Sequence, residues 1–357
     1  MALTTARTGL TPQIWDDQFF MEYVRDNRFK RYMGTDENSI IQLKEDLTKK
    51  RGDRVTFAAV NKLTGAGVTG NTTLEGNEEE LDSRSMSLTV APLRHAVSIT
   101  EWDEQKSAID LRNAGKTALK LWAMEKMKTE LITALGSING VAYGSASEAQ
   151  KDAWLVDNTD RVLFGALKSN HSSLDHSTSL ANIDNTNDKL SPAIISLAKR
   201  IAQSASPAIK PIRLNEDEEW FVLFAGPQAF RDLSNDTTMT QANRDARLRG
   251  MDNPLFTGGS LIWDGVIIRE IPEIAAVSNG TIDCNPNYLV GAQALGVAWA
   301  QRTKTTTQVA DYGFKNGVGI SEMRGIGKLL FGSGAGDTDD LKQHGVVTVW
   351  TAGVADA

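Results

Sequence analysis

The sequence predicts an α+β protein organised around a long two-stranded arm and one long helix, and three observations predict it. First, two alternating apolar runs flank a stretch rich in glycine and acid between Arg51 and Ile99. Second, no proline interrupts the chain from Glu101 to Leu135. Third, helix and strand patterns alternate between about 188 and 300, as expected for an α+β domain.

The arm comes first. Val55, Phe57, Ala59, Asn61 and Leu63 alternate with other residues, which suits a strand. The return run shows Met86, Leu88 and Val90, then Leu93, His95, Val97 and Ile99. Its parity flips at Pro92, so a bulge or edge position is expected there. The tip, Thr64 to Arg84, carries Glu75, Glu78, Glu79, Glu80 and Asp82 among glycines. A lone hairpin is marginal in water, so one this long is expected to rest on something else.

The helix is expected over 101–135. Thr100 precedes Asp103 by three residues in a capping-box-like pattern, and Glu101 and Glu104 favour the first turn. Leu111, Ala114, Ala118, Leu121, Met124, Leu131 and Leu135 form one apolar stripe. Gly136 is the expected C′ residue, and Gly115 is a candidate bend. At about 1.5 Å per residue the helix would span roughly 50 Å.

Elsewhere the signals are shorter. Residues 1–50 read as an arm. Trp15, Phe19, Phe20, Tyr23 and Val24 fit one side of a first short helix, and Ile40, Leu43 and Leu47 fit a second, closed by Lys49, Lys50 and Arg51. Residues 137–188 are polar and read as a long surface excursion with one short helix near Glu148–Trp154. Ser191 then caps a helix with Pro192 at its first position, buried through Ile194, Leu197, Ala198 and Ile201. Trp220–Ala225 is a strand, Gly226-Pro227 breaks it, and Gln228–Leu233 is a short helix. Leu261–Ile271 is a further strand region, and Tyr288–Trp299 mixes apolar residues with glycines. The tail adds strands at Thr305–Val309 and Val346–Thr351, with a loop at Gly332–Gly336.

Composition narrows the function. The chain has 357 residues, enough for two or three domains. With 41% hydrophobic residues and 30 glycines it falls in the globular range. A net charge of -7 argues against tight general nucleic-acid binding. Cys284 is the single cysteine, so no intrachain disulfide forms, and a reducing cytoplasm is the expected place of folding. No secretory h-region or membrane-length apolar run is visible.

Catalytic motifs are weak. Gly65-Ala-Gly-Val-Thr-Gly70 matches GxGxxG, but an acidic run follows where pyrophosphate binding needs a helix. The acids at 75–82 cluster on one loop rather than in a cleft that separates their pKa values. Asn182, Asp184, Thr186 and Asp188 have EF-hand spacing, but Asn187 and Ala193 replace the required Gly and Glu. His95, His171, His176 and His344 show no zinc spacing. His171, Ser172 and Asp175 lack a nucleophile elbow, and His95 reads as a half-buried structural residue. Arg51-Gly52-Asp53 reads as a turn into the first strand. No cofactor, metal or catalytic residue is expected.

The order of arm, hairpin, long helix and α+β body resembles the major capsid proteins of tailed bacteriophages. Short pieces carry the likeness along the chain: Phe29-Lys-Arg-Tyr-Met-Gly34, Lys50-Arg-Gly-Asp53, Thr73-Leu-Glu-Gly-Asn-Glu-Glu79, Pro92-Leu-Arg-His-Ala-Val97, Ile209-Lys-Pro-Ile212, Asn253-Pro-Leu-Phe-Thr-Gly258, Leu289-Val-Gly-Ala-Gln-Ala294, Asp311-Tyr-Gly313 and Gly325-Ile-Gly-Lys328. The resemblance implies an N-terminal arm over 1–50, an extended loop over 51–100 and a spine helix over 101–135 within a first peripheral segment, 101–187. It implies an axial domain over 188–300 and a return to the peripheral domain over 301–357.

The implied function is a shell of hexamers and pentamers around phage double-stranded DNA. The implied partners are further copies of the chain, a separate scaffolding protein, a portal, a decoration protein, and DNA held by weak non-specific contact. The shell would be assembled in the host cytoplasm and end in the virion. Glu75, Glu78, Glu79, Glu80, Asp82, Arg51 and Arg54 become candidates for contacts between subunits, with the acidic tip meeting Lys or Arg of a neighbour. Alternatives are a nanocompartment shell of the same fold, a hydrolase using the Glu75–Asp82 loop, and a DNA-binding tail or portal-associated protein.

Overall fold

A computed structural model describes residues 27–48, 52–71, 73–107, 109–213, 218–245, 261–334 and 336–354. The aromatic stretch Trp15–Val24, the Lys49–Arg51 helix end and Asn253–Gly258 lie outside the described residues.

In chain order the elements begin with β1 (Met33–Gly34), β2 (Ile41–Lys44), β3 (Arg54–Val60), β4 (Ser83–Thr89) and β5 (Ala91–Thr100). Then come α1 (Glu101–Lys106), α2 (Leu111–Leu135), α3 (Glu148–Asp157), β6 (Val162–Phe164), α4 (His176–Ala181) and α5 (Pro192–Ser204). Next are β7 (Ile212–Arg213), β8 (Glu219–Ala225), α6 (Pro227–Asn235), α7 (Thr237–Asp245), β9 (Leu261–Trp263), β10 (Val266–Glu270), β11 (Val277–Ser278) and β12 (Asp283–Val290). The last are β13 (Leu295–Ala310), β14 (Lys315–Lys328), β15 (Leu330–Ser333), β16 (Asp339–Gln343) and β17 (Val346–Gly353). The α+β expectation holds. The chain divides into two compact units, and β13 and β14 contribute to both.

The smaller unit holds residues 92–127 and 301–323 among those described. Here β14 lies between β13 and β5. Leu119, Val318 and Ile320 are buried together, with Val97, Trp122 and Ala123 packed around them. Thr100 caps α1 as expected, its hydroxyl accepting from the Asp103 N–H at 3.2 Å.

The expected single helix is two. Ser107 takes extended backbone angles, and its hydroxyl accepts from the Ile109 N–H at 3.2 Å. Asp110 then accepts from the Asn113 N–H at 3.0 Å and restarts the helix. Side chains that bond the nearby backbone compete with helical hydrogen bonds, which is the reason for the break. Gly115 does not interrupt α2. The stripe also shifts: Leu119 is buried, and Ala118 is exposed.

The larger unit holds residues 28–91, 128–300 and 324–354. Its main sheet runs β6-β17-β12-β8-β10-β9, with β7 on β8 and β11 on β12. The β8–β10 and β6–β17 pairs are parallel, and β12 is antiparallel to β8 and β17. Ile194, Ile195, Ala198 and Ile201 of α5 are buried with Leu223, Ile268, Leu289 and Val347 of the sheet. Phe29 and Tyr32 meet Phe224 edge-on, at 5.0 and 5.5 Å. The strand region expected over Leu261–Ile271 is present as two strands: Asp264 and Gly265, both at positive φ, turn β9 into β10.

Three further expectations fail here. Residues 137–188 are not a surface excursion, because Ile138, Trp154, Leu155, Phe164, Leu180 and Ile183 form a buried cluster with Trp350. The three-residue β6 is too short to show a period, and it is fixed by parallel pairing to β17. Ile40, Leu43 and Leu47 do not make a helix; Ile41–Lys44 is a strand, parallel to β13 from Leu295 to Ala298. A backbone partner distant in sequence overrides a short helical pattern. Lastly, Gly136 is not a left-handed cap, since its φ lies outside the positive region. It is needed for close approach: a Cβ there would lie 2.7 Å from the Tyr288 hydroxyl.

Candidate subunit interface

The hairpin is built in two parts with opposite chemistry. Its base is a ladder from Arg54↔Thr89 to Val60↔Ser83. Every second residue faces inward, so Val55, Phe57 and Leu88 are buried with Ala298, Leu329 and Phe331. Gly296 makes room, because a Cβ there would sit 2.9 Å from the Phe57 ring. The Lys44 ammonium lies 4.5 Å from the centre of that ring and donates to the Thr56 carbonyl at 2.8 Å. Ser85 donates from its N–H and hydroxyl to Asp337, at 2.8 and 2.7 Å. The base is therefore locked onto its own subunit.

The return strand is shorter than the sequence suggests. The Val90 N–H donates to the Asp53 carbonyl at 2.9 Å and closes the ladder. The next strand, β5, pairs with β14 instead. The parity flip near Pro92 is thus a change of partner: of the two expectations, the edge position holds, since β5 is the last strand of its sheet, and the bulge does not.

Beyond Asn61 the described residues of the tip carry no strand until Ser83. Its acids divide into two groups. Glu79 accepts from the N–H groups of Thr64 and Gly65, at 2.6 and 2.7 Å. Those bonds hold its carboxyl below the usual carboxylate range. Glu78 accepts from the Gly76 N–H at 2.7 Å, and Asp82 from the Asn61 amide at 2.5 Å. These three shape the loop. Glu75 and Glu80 are exposed, as is Arg54; Arg51 lies outside the described residues.

Sequence reasoning missed Leu74 and Leu81 beside the acids, and it placed Leu63 in the first strand, which ends at Val60. Leu63, Leu74 and Leu81 are 60%, 64% and 65% exposed. Leucines embedded in a polar loop were the available signal. A tip that shows three leucines and several carboxylates to water suits burial against another surface.

The proximal tip also borders a cleft of about 580 Å³, lined by Glu79, Glu80, Asp82, Arg84, Arg161 and His344 among others. Acids in a cleft are what a hydrolase needs. Here Glu79 and Asp82 are already committed to the loop, and burial with Arg161 and Lys210 pushes the His344 imidazole down to about 4. A proton-transfer group is not thereby poised near neutral pH.

The remaining motifs disperse. Among the described residues no helix follows Gly70, so the GxGxxG match has no phosphate-binding helix end there. Asp184 accepts from the N–H groups of Thr186 and Asn187, while buried Asp188 accepts from those of Ala166 and Asp184. They do not form an EF-hand. Asp175 caps α4 and His171 stacks edge-on against Phe164, so no triad forms. His95 is exposed rather than half-buried, its ring 4.6 Å from that of Trp122. His176 is the buried histidine: it sits 3.4 Å from Glu148, and burial lowers its pKa. Glu148, Asp152 and Asp175 lie close together, but Lys151, the His176 N–H and the Thr178 N–H occupy them.

The sequence model of the phage capsid protein family matches residues 4–355. The chain belongs to the phage capsid protein family. This is a structural family, not an enzyme family. Within the family, the chain is 26% identical over 374 residues to the major capsid protein of Pseudomonas phage KPP25, covering 95% of this chain and 94% of that one. The capsid protein of cyanophage Pam1 has the same fold with a TM-score of 0.89 at 37% identity, covering both chains fully. That of Ralstonia phage GP4 also aligns over both full chains, with a TM-score of 0.75 at 22% identity. The phage capsid fold expected from the sequence is therefore the fold of this chain.

Proposed function

We propose that this capsid family member is the major subunit of a phage head, and that its hairpin tip is a contact between copies. Copies would assemble as hexamers and pentamers into a closed icosahedral shell around double-stranded DNA, completed in the host cytoplasm and carried in the virion. Repeated heterologous contacts close such rings. The observation that carries the reading is the hairpin, locked at its base and exposed at its tip, in a chain matched to the family from 4 to 355.

Magnitudes say which tip residues matter. Burying a leucine is worth about 1.5–3 kcal/mol. An exposed ion pair is worth about 0–1 kcal/mol. Leu63, Leu74 and Leu81 then supply affinity, while Glu75 and Glu80 steer the approach to basic groups of a neighbour. Residues 51–100 serve as the extended loop, 101–135 as the interrupted spine, 188–300 as the axial domain, and 101–187 with 301–357 as the peripheral domain, behind an N-terminal arm over 1–50. A separate scaffolding protein, a portal and a decoration protein complete the assembly, and packaged DNA is touched weakly, in keeping with the net charge of -7.

Electron microscopy of purified particles, with assay of their nucleic acid, tests the reading. Closed shells holding nuclease-protected DNA are expected. Shells filled with an enzyme and free of DNA would overturn it.

A further inference from the structure

The sheet of the smaller unit packs one face on α2. Val318 and Ile320 of β14 are buried with Leu119 of α2, so the odd-numbered residues of β14 turn the other way. On that outward face lies a trough of about 740 Å³. Its floor is Gly317 and Gly319. A Cβ on Gly319 would lie 3.3 Å from the Thr306 hydroxyl and 3.6 Å from the Ala96 Cβ. One on Gly317 would lie 3.9 Å from the Gln308 Cβ. Thr306 and Gln308 of β13 and Ala96 of β5 therefore share the face with the two glycines.

The chain itself gives no reason for those glycines. Neither has positive φ. Side chains would fit at both positions, and the tightest contact is to a hydroxyl that can rotate away. Gly136 and Gly296 differ, because a Cβ there would meet a neighbour at 2.7 and 2.9 Å. Glycine weakens a strand interior, and it marks a place where another molecule comes close to the backbone.

The rim of the trough is cationic. By alternation Arg94 lies on the face with Ala96, and Lys304 with Thr306; both are exposed. None of the residues that β5, β13 and β14 turn to this face is Asp or Glu. The one acid of β14, Glu322, is buried and accepts from the Thr303 hydroxyl at 3.0 Å. The face thus offers hydroxyl, amide, ammonium and guanidinium donors over bare backbone. A protein partner would need an apolar centre to its interface, and the leucines of a hairpin tip would find none here. Nucleic-acid phosphates are held by Arg, Lys, Ser, Thr and Gln side chains.

We propose that this sheet face contacts the phosphate backbone of double-stranded DNA, with Arg94 and Lys304 as the charged groups and Gly317 and Gly319 as the floor. The proposal rests on the reading of the chain as a subunit of a DNA-filled head, and it names the surface that makes the weak contact.

The unassembled full chain and a short DNA duplex test the face without a shell, by fluorescence anisotropy across a salt series. Arg94→Gln with Lys304→Gln should weaken binding about fivefold or more at low salt and cut the salt slope by roughly 2, at about 0.9 per phosphate contact. Lys116→Gln with Lys120→Gln removes the same charge from α2 and should leave binding unchanged. Equal weakening by both pairs, or no duplex binding by the unaltered chain, would overturn the proposal. Gly317→Val adds a strand-favouring side chain where there is space. It should keep the denaturation midpoint and still weaken binding; a lowered midpoint or unweakened binding would each contradict the floor's role. In particles, photoreactive p-benzoylphenylalanine in place of Gln308 should cross-link to DNA. A link to residues 61–82 of another copy would give the face to the hairpin tip and overturn the proposal. DNA-filled shells without a link would sink this contact alone, whereas shells without DNA would sink the reading of the head and the contact with it.

Discussion

Single positions show where physical need and sequence signal part company. Gly136 follows the helix where a C′ glycine is expected, yet it is kept for space beside Tyr288. Gly136→Ala forces that contact and is expected to cost about 1–3 kcal/mol, the range for overpacking a core. Urea unfolding of the unassembled chain measures it, and an unchanged midpoint would reject the explanation. Lys328 was legible only as part of a short family-like motif. It is 2% exposed and donates to the Ser137 carbonyl and the Gln343 amide oxygen, at 2.8 and 3.2 Å. Burial pushes its ammonium down to about 7 from 10.5. Between those values the unfolded chain keeps a proton that the folded chain has released, so this group makes stability rise with pH across that window. Below the lower value both states are protonated and the desolvation cost is borne in full. Lys328→Met should flatten the rise in stability between pH 7 and pH 9. A variant that keeps the unaltered chain's slope would show that another group sets it.

Elements are where most of the chain was readable. β3 and β4 alternate as their sequence alternates, and α5 has the start position, first-turn proline and buried face that Ser191 to Ile201 announce, although the Ser191 hydroxyl makes no capping bond. What could not be read was set by distant partners. β2 is a strand because β13 pairs with it, and β6 because β17 does. The gap between α1 and α2 was written locally, in Ser107 and Asp110, but a proline-free stretch concealed it. The acids of the tip were found by sequence; Leu74 and Leu81 were passed over because an acidic loop reads as solvated, and Leu63 was read as strand because the alternation runs on past Val60. The hairpin base carries its own prediction. Phe57 is 4% exposed and fills the space left by Gly296. Phe57→Ala should cost about 3–5 kcal/mol, as large aromatic truncations in cores do, read as a lowered denaturation midpoint of the unassembled chain. A cost under about 1 kcal/mol, the size of a surface change, would mean the base is not locked to the body.

At the scale of the whole molecule, the chain joins a body that buries its own core to a tip that leaves three leucines in water. That asymmetry is costly for a solitary protein and useful for one that repeats. It also ranks two sets of variants. Leu63→Ser with Leu74→Ser and Leu81→Ser should abolish particles while the chain still folds. Glu75→Lys with Glu80→Lys should slow assembly and change its salt dependence, leaving some particles. The reverse ranking, read by sedimentation of each variant, would mean charge rather than apolar burial holds the contact. The most direct measurement is cryo-electron microscopy of particles assembled from the chain. The account predicts closed shells in which residues 61–82 of each copy bury their leucines on a neighbouring copy. Chains that remain solitary at every concentration, or shells in which that segment touches only its own copy, would contradict it.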